Sequence, residues 1–337
     1  MEVQELKEGS PAVQNWLSRL SPQTAKIYAY IFKDWMQWVR ENGGGFADFP
    51  PDRLIRFQMD ASNNERYAIV DLLQRYISSV RGRIGYKKKI RSTVRSFFIH
   101  NRAELPKDSS FILHPEIPKV QGRLTIEELK NIILSSTLNY QAAFLSMFQG
   151  GMGLAEFEHW NEHGWPVLKR ALDAGQQVAK VELPGRKKNR NISPFHSFIG
   201  GDALDAIRKY LPRRPRDAGV IFTTNTGTPM ERKAMQIYWM RHLRKLGLIT
   251  PGPKGHRSNR YGKNIHEIRD LFRSQWEKST AKVSVAEFMM GHQVDPLEYN
   301  KAFRDEKWFR GEYMKALPLL QIMSSPRPFG QVDENEV

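Results

Sequence analysis

The sequence predicts a mainly helical protein of two domains, the second of which also carries a small β-sheet. Apolar residues recur at helical spacing over long stretches, as at Ile27, Ile31 and Trp35. A segment with two prolines and a glycine interrupts this periodicity after the first third of the chain. The length of 337 residues allows each domain to bury a core of its own. The expected divisions are a helical domain at 1–113, a linker at 114–123, a mostly helical domain at 124–323 and a flexible tail at 324–337.

Three helices are expected in the first domain. Ser21 and Pro22 are typical of an N-cap and a first helical residue, and Gly43 ends that helix. A second periodic segment covers about Asn64–Val80, and a third covers about Tyr86–Arg102. In the third helix basic residues alternate with apolar ones, so we expect the basic side chains to lie outside the core.

The second domain is expected to begin with a capped helix and to contain one hairpin. Thr125, followed three residues later by Glu128, forms the pattern of a capping box. An almost entirely basic turn, Pro184–Arg190, separates the expected strands Val178–Leu183 and Asn191–Pro194. Further elements are expected as helices at Gln141–Phe148, Asp202–Leu211 and Gln236–Leu246 and as a short strand at Val220–Thr224.

Positive charge dominates the chain and is clustered. Lys and Arg number 52 against 36 Asp and Glu, a net charge of +16, and the segments 81–102 and 232–266 hold no acidic residue. Such clusters favour a polyanion, because each phosphate contact releases counterions from a nucleic acid. No basic segment has the sustained apolar face with which a helix lies on a membrane. We expect double-stranded DNA as the partner, bound by Lys87, Lys88, Lys89, Arg91, Arg95, Arg186 and Arg190.

The composition excludes several other kinds of site. No cysteine is present, so disulfides, cysteine-based zinc sites and thiol nucleophiles are excluded. The nine histidines show no metal-ligand pairing, and we expect neither a metal nor another cofactor. The N-terminal residues lack the order of a signal peptide, and no apolar run is long enough to span a bilayer. A cytoplasmic, nucleoid-associated protein is therefore expected.

The chemically most informative residues lie towards the C-terminus. His266 and Arg269 are three apart on an expected helix and so share one face. His292 follows Gly291 in an expected turn, and Tyr299 lies seven residues further on. Arginine binds phosphate bidentately, and imidazoles exchange protons with the phosphate oxygens. A tyrosine hydroxyl is a competent covalent nucleophile. Together these residues predict a phosphotransfer site on DNA.

In order and spacing these motifs resemble the tyrosine recombinases, the phage integrase and Xer-like family. The opening Leu124–Leu129 and the pattern of Ser21, Thr24 and Tyr28 are also similar to that family, so the resemblance extends over about residues 21–317. It implies a C-shaped clamp in which a helical core-binding domain and a mostly helical catalytic domain with a small sheet close round a duplex. It also implies a homo-tetramer on two DNA duplexes, with a monomer or dimer in the absence of DNA. We expect Tyr28 to pack in the core rather than to contact bases.

The resemblance implies site-specific DNA recombination or integration without metal or cofactor. In this family a tyrosine attacks the scissile phosphate and forms a 3′-phosphotyrosine intermediate, and the released 5′-hydroxyl later reverses the step. Arg269 matches the family's second arginine, and His266 and His292 match its two histidines. Lys187 or Lys188 stands at the hairpin position of the lysine that protonates the leaving oxygen.

Tyr299 is the expected nucleophile. The family usually places its tyrosine where Lys301 stands here, so this assignment assumes a shortened loop. Tyr313 is the alternative, but its apolar neighbours favour a place in the core. The segment Leu317–Met323 is a candidate for exchange with a neighbouring protomer, and its alternative is packing in its own core.

The family's first arginine is missing. Its motif T-G-x-R-x-x-E-L corresponds here to Gly150–Phe157, in which Glu156 is retained and Gly153 takes the place of the arginine. Loss of a charge that stabilises the transition state lowers the rate of cleavage. Either another cation, Arg186 or Lys188, substitutes for it, or the protein is a weak or inactive relative that binds DNA without cleaving it. A basic RNA-binding scaffold is a more distant interpretation.

Overall fold

A computed structural model describes residues 3–82, 84–113, 124–186, 193–215, 218–249, 263–295 and 301–323. The chain divides into two compact units, Met1–Val120 and Gln121–Val337. The described residues are mostly helical and hold one sheet of two strands. The predicted class, mainly helical with a small sheet, is therefore confirmed. None of the described helices is both long and apolar enough to span a membrane.

All the secondary-structure elements in the described residues of the first unit are helices. Ser10 and Ser21 each cap a helix that has proline in its first turn, because their hydroxyl oxygens accept the unpaired N–H groups of Val13 and Thr24. The helices predicted after Ser21, at about 64–80 and at about 86–102 are present, and three shorter α-helices were not predicted. The helices are α1 Val3–Glu8, α2 Pro11–Ser18, α3 Pro22–Asn42, α4 Pro51–Asp60, α5 Ala68–Ser79 and α6 Ile84–His100.

An aromatic cluster forms the centre of the first unit's core. Trp16, Phe32 and Phe97 are fully buried, and the ring centroids of Phe32 and Phe97 lie 4.4 Å apart. Large aromatic side chains bury much apolar area each, so this cluster stabilises the packing of α2, α3 and α6 on one another. Tyr28 is partly buried against the same core, as its helical spacing predicts.

The second unit combines nine α-helices and two strands in its described residues. The capping box at its first helix is confirmed, with Thr125 and Glu128 each accepting the other's backbone N–H. The helices are α7 Ile126–Leu134, α8 Leu138–Gln149, α9 Leu154–His163, α10 Trp165–Asp173, α11 Gly201–Tyr210, α12 Arg232–Lys245, α13 Glu267–Trp276, α14 Val283–Met289 and α15 Glu306–Leu320, and the strands are β1 Val178–Leu183 and β2 Phe195–Gly200.

The hairpin is present, but its second strand begins later than predicted. β1 and β2 pair antiparallel, from Val178 opposite Gly200 to Leu183 opposite Phe195. Ser193 and Pro194 precede β2, and Asn191 and Ile192 lie outside the described residues. Proline has no N–H to donate to a ladder, whereas the apolar residues of β2 are buried, so the strand starts just after the proline.

The prediction of a strand at Val220–Thr224 is wrong. The described residues there form only an isolated bridge between Thr223 and Pro229. The reason is that Asn161 takes the backbone groups that a neighbouring strand would use. Its side chain accepts the N–H of Phe222 at 2.6 Å and donates to the carbonyl of Phe222 at 3.1 Å, and its own carbonyl accepts the N–H of Ile221.

The end of α15 packs in its own unit. Leu320 is fully buried, its carbonyl accepts the side-chain amide of Gln149 at 3.1 Å, and Ile322 is 9% exposed. The backbone N–H of Met323 donates to Asp202 at 2.7 Å. In this structure the segment Leu317–Met323 thus completes the core of its own unit, which is the second of its two expected roles.

Candidate active site

Arg269 joins two turns at the centre of the candidate site. It lies on α13 and is 2% exposed. One terminal nitrogen donates to the carbonyl oxygen of Gly151 at 2.9 Å, and the other donates to that of Met290. Gly151 closely follows α8 and Met290 directly follows α14, and helix C-termini carry partial negative charge. These carbonyls therefore offset the buried charge of a guanidinium that stays protonated.

Both turns require glycine. Gly151 has φ +59° and Gly291 has φ +67°, the left-handed conformation that commonly ends helices. A Cβ on Gly151 would lie 2.7 Å from the ring of Phe272. A Cβ on Gly291 would lie 2.7 Å from Cδ of Arg186. The Gly-His motif is thus the end of α14, and its glycine also makes room for an arginine side chain.

Gly153 lies beside the histidine of the HxxR motif. A Cβ built on Gly153 would be 4.0 Å from Nδ1 of His266, an exposed residue that directly precedes α13. The same Cβ would be 2.7 Å from Oε2 of Glu156. Gly153 has φ −82° and ψ 176°, values that any residue adopts. Its small size, rather than its backbone freedom, allows the Glu156 carboxylate to lie against the start of α9.

Arg186 brings a second guanidinium to this place. Its Nε lies 2.7 Å from Oε1 of Glu156, and one terminal nitrogen donates to the carbonyl of Met290 at 3.1 Å. Glu156 is 6% exposed and the Arg186 side chain is 18% exposed. The ion pair is therefore largely shielded from water, so its Coulomb attraction is screened less than that of a surface pair. The sequence predicts Arg186 as a DNA-binding residue and as one of two possible substitutes for the missing arginine, and its side chain lies against Glu156 and the Gly-His turn.

His292 is held by a carboxylate. Its Nδ1 pairs with Glu287, whose other oxygen lies 2.6 Å from Nε of Arg273. Burial raises the pKa of Glu287 and the hydrogen bonds from His292 and Arg273 lower it, with a net shift below the ordinary value. A carboxylate on Nδ1 fixes the orientation of the ring, so Nε2 is the nitrogen that can exchange a proton with a ligand.

Four of the predicted site residues lie outside the described residues: Lys187, Lys188, Arg190 and Tyr299. Their roles stay predictions. The alternative nucleophile, Tyr313, is fully buried, and its hydroxyl donates to the carbonyl of Gln149 at 3.3 Å. Burial raises the pKa of Tyr313 far above its ordinary value. The expectation that Tyr313 is a core residue is confirmed.

Some of the basic side chains of α6, in the first unit, are less exposed than predicted. Lys88 and Lys89 on α6 are exposed as expected, but Lys87 is 7% exposed, so the expectation that it lies outside the core is wrong. Arg95 donates to the carbonyl oxygens of Leu105 at 2.6 Å and Pro106 at 3.1 Å. The chain after α6 therefore folds back against this helix at Arg95.

Arg91 also turns towards that returning chain. Its guanidinium carbon lies 4.7 Å from the centroid of the Phe111 ring, a cation–π distance, and its Nε is buried. Arg91 and Arg95 therefore hold the segment after α6, whereas Lys88 and Lys89 present their charges to solvent. DNA binding by these residues stays a prediction, and the two exposed lysines are the best placed for it.

Sequence reasoning missed the carboxylates that support the site. Glu287 precedes His292 by five residues and carries no motif signal. Glu156 was recognised only as a retained position of the arginine motif, and its pairing with Arg186 joins α9 to the hairpin. Only the tertiary fold brings these charges together.

Solved structures with this architecture include a lambda integrase tetramer bound to a Holliday junction. The chain matches that structure with a TM-score of 0.50 at 19% identity, over 91% of this chain and 78% of that one. The chain has the tyrosine recombinase fold. Matches of lower TM-score are XerA recombinase, 0.39 at 13% identity over 90% of this chain and 98% of that one, and the integrase of mycobacterium phage Brujita, 0.41 at 12% identity over 95% of each.

No protein-family model matches the chain, and neither does any curated protein sequence. The tyrosine recombinase fold is therefore established here through three-dimensional structure. In that fold, the turn after α8, the start of α13 and the end of α14 place Arg269, His266 and the Gly-His turn in one site.

Proposed function

We propose that the chain is a site-specific DNA recombinase that cleaves and rejoins double-stranded DNA through a 3′-phosphotyrosine intermediate. One observation carries the proposal: in a tyrosine recombinase fold, Arg269 and Arg186 converge on the carbonyl of Met290 at the Gly-His turn, and His266 lies beside Gly153. Two guanidiniums and an exposed imidazole form a suitable site for a phosphate whose negative charge increases during reaction.

Tyr299 is the proposed nucleophile. Its oxygen forms a bond to phosphorus while the bond from phosphorus to the 5′ oxygen breaks. The proton of the tyrosine passes to a base, for which His292 on its Glu287 support is the candidate, and Lys187 or Lys188 protonates the departing oxygen. The new phosphotyrosine retains the energy of the phosphodiester, so a 5′-hydroxyl can attack it and restore the DNA backbone.

A DNA-binding protein without cleavage is the second candidate. Gly153 favours it, because the arginine that the family places there is absent. This alternative predicts specific duplex binding with no covalent product. The convergence of Arg186 on the same place favours the active enzyme, because it brings a second, largely shielded guanidinium to the carbonyl that Arg269 also contacts.

The partner that we propose is a DNA duplex, with four copies of the chain acting on two duplexes. Lambda integrase has been solved as a dimer bound to a core site and as a tetramer bound to a Holliday junction. For the present chain the net charge of +16 supports binding to a polyanion. We propose a monomer or dimer in the absence of DNA.

The test begins with selection of tightly bound duplexes from a randomised pool, because the target sequence is unknown. The selected sequence is then built as a nicked substrate that loses a short fragment on cleavage, which prevents rejoining and traps the covalent intermediate. We expect a denaturant-resistant adduct between the chain and this DNA. Tight, sequence-specific binding without any adduct would instead support the DNA-binding alternative.

A further inference from the structure

We propose that Arg186 does the work of the arginine missing at Gly153 and donates to the scissile phosphate during cleavage. This inference rests on the proposed recombinase function and names a further catalytic residue for it. The replacement comes from a different element, since Arg186 follows β1 in the hairpin whereas Gly153 precedes α9.

The path of the side chain is the first argument. Arg186 passes directly over the Gly-His turn, where a Cβ on Gly291 would lie 2.7 Å from its Cδ. Its guanidinium then meets the carbonyl of Met290, the oxygen to which Arg269 also donates. Arg186 thus ends beside the arginine that matches the family's phosphate ligand.

The shared carboxylate is the second argument. Oε1 of Glu156 binds Nε of Arg186 at 2.7 Å, and Oε2 of the same carboxylate occupies the space 2.7 Å from a Cβ on Gly153. Any side chain at 153 would displace the carboxylate that holds Arg186. The glycine and the hairpin arginine therefore form one coupled arrangement, in which Glu156 is the positioning residue.

The donor geometry is the third argument. A guanidinium has five N–H donors in a rigid fork, and the contacts to Glu156 and Met290 use two of them. Further donors of the same fork can bind phosphate oxygens while these contacts fix its position. Such a preorganised donor stabilises the charge that develops on the phosphate in the transition state.

The experiment compares Arg186→Gln with the intact chain on the trapped-cleavage substrate. We expect adduct formation to slow by roughly 10²–10³-fold, the usual effect of losing one preorganised donor, with duplex affinity nearly unchanged. Arg208→Gln is the control, because Arg208 pairs with Asp205 at 2.9 Å on an exposed face of α11. The control should cleave at the rate of the intact chain.

A substrate with a neutral methylphosphonate at the scissile position distinguishes two roles of Arg186. In one, Arg186 interacts with the charge of the phosphate; in the other, it only supports the structure. Removing the negative charge removes the interaction with Arg186, so the defect of Arg186→Gln should shrink to a few-fold on this substrate. An equal defect on both substrates would overturn the inference and make Arg186 a structural residue. Thermal unfolding shows whether the variant is folded, and Arg186→Lys, which keeps the charge, should retain more activity than Arg186→Gln.

The double variant Gly153→Arg with Arg186→Gln tests whether the two positions are equivalent. We expect it to recover part of the cleavage that Arg186→Gln loses, because an arginine at 153 enters the space that Glu156 vacates. Wild-type cleavage by Arg186→Gln alone would refute the inference while leaving the recombinase function standing, and a slowed Arg186→Gln with no recovery in the double variant would refute the equivalence of the two positions. Absence of any adduct from the intact chain would refute the function itself.

Discussion

Arg186 and Arg269 donate to the same carbonyl oxygen, that of Met290, although one follows β1 and the other lies on α13. Two guanidiniums this close repel each other, more strongly away from water. The arrangement is stable because Glu156 pairs with Arg186 and because the carbonyl ends of α8 and α14 face Arg269. A phosphate would add the negative charge that this cluster favours.

Glu156→Gln should therefore destabilise the protein. The change leaves Arg186 without its carboxylate in a largely shielded position, which we expect to cost about 1–3 kcal/mol. Denaturant unfolding measures the loss. Cleavage should also slow, because the guanidinium of Arg186 is no longer held in place.

Glu158→Gln is the matched control, two residues further along α9. Its partner Arg232 is exposed, so we expect a loss of only about 0–1 kcal/mol. Equal losses of unfolding free energy in the two variants would contradict the view that the shielded Glu156–Arg186 pair stabilises the fold more than the exposed Glu158–Arg232 pair.

Gly153→Arg in the otherwise intact chain should not increase cleavage. The new Cβ would lie 2.7 Å from Oε2 of Glu156, so the carboxylate must move and its hold on Arg186 weakens. Gly311→Ala serves as a glycine control in the same unit, because its Cβ meets nothing within 4 Å. Adduct from Gly153→Arg but none from the intact chain would mean that the native site has decayed.

Tyr299→Phe should abolish the covalent adduct and leave duplex binding nearly intact, because only the attacking oxygen is removed. Tyr313→Phe is the comparison. It removes a buried hydroxyl that donates to Gln149, so we expect a loss of about 0.5–1.5 kcal/mol in stability and an unchanged adduct. Survival of the adduct in Tyr299→Phe and its loss in Tyr313→Phe would reverse the assignment.

The parts of the fold that local chemistry decides could be predicted from the sequence. Ser21 as a helix cap and the Thr125 capping box each depend on a few neighbouring residues, and both are present. The same holds for the Gly-His turn, because a left-handed glycine ends α14 at Gly291.

The parts that long-range contacts decide were missed. The segment at Val220–Thr224 has strand-like residues, but Asn161, far away in sequence, binds its backbone. Periodicity placed all basic residues of α6 outside, yet Arg95 bonds to the chain that returns over the helix. The Arg186–Glu156 pair belongs to the same class, since neither residue's local pattern indicates the other.

Lys88→Ala should weaken binding to selected and random DNA by similar factors. Lys88 is exposed on α6, and loss of one phosphate contact should lower the slope of log affinity against log salt by about one. Arg95→Ala is the contrasting variant. It should lower the melting temperature, because the carbonyls of Leu105 and Pro106 lose their donor, while the salt slope stays unchanged. If Lys88→Ala lowered the affinity for the selected DNA sequence but not for random DNA, Lys88 would be assigned to base readout.

Glu287→Gln tests how the support of His292 depends on pH. The pKa of Glu287 is lower in the folded protein than its ordinary value of 4.5, because hydrogen bonds from His292 and Arg273 outweigh the effect of burial. A carboxyl of this kind stabilises the fold above its unfolded pKa, and the stabilisation is lost as pH falls through its folded pKa. The intact chain should therefore exceed the variant in stability at neutral pH, and the difference should shrink as pH falls below 4.5.

Urea unfolding of both proteins at neutral and acid pH measures this difference. The control is Glu127→Gln, a change at an exposed residue of α7. A difference that stays constant or grows towards acid pH would show that the carboxylate does not stabilise the His292 turn through its charge.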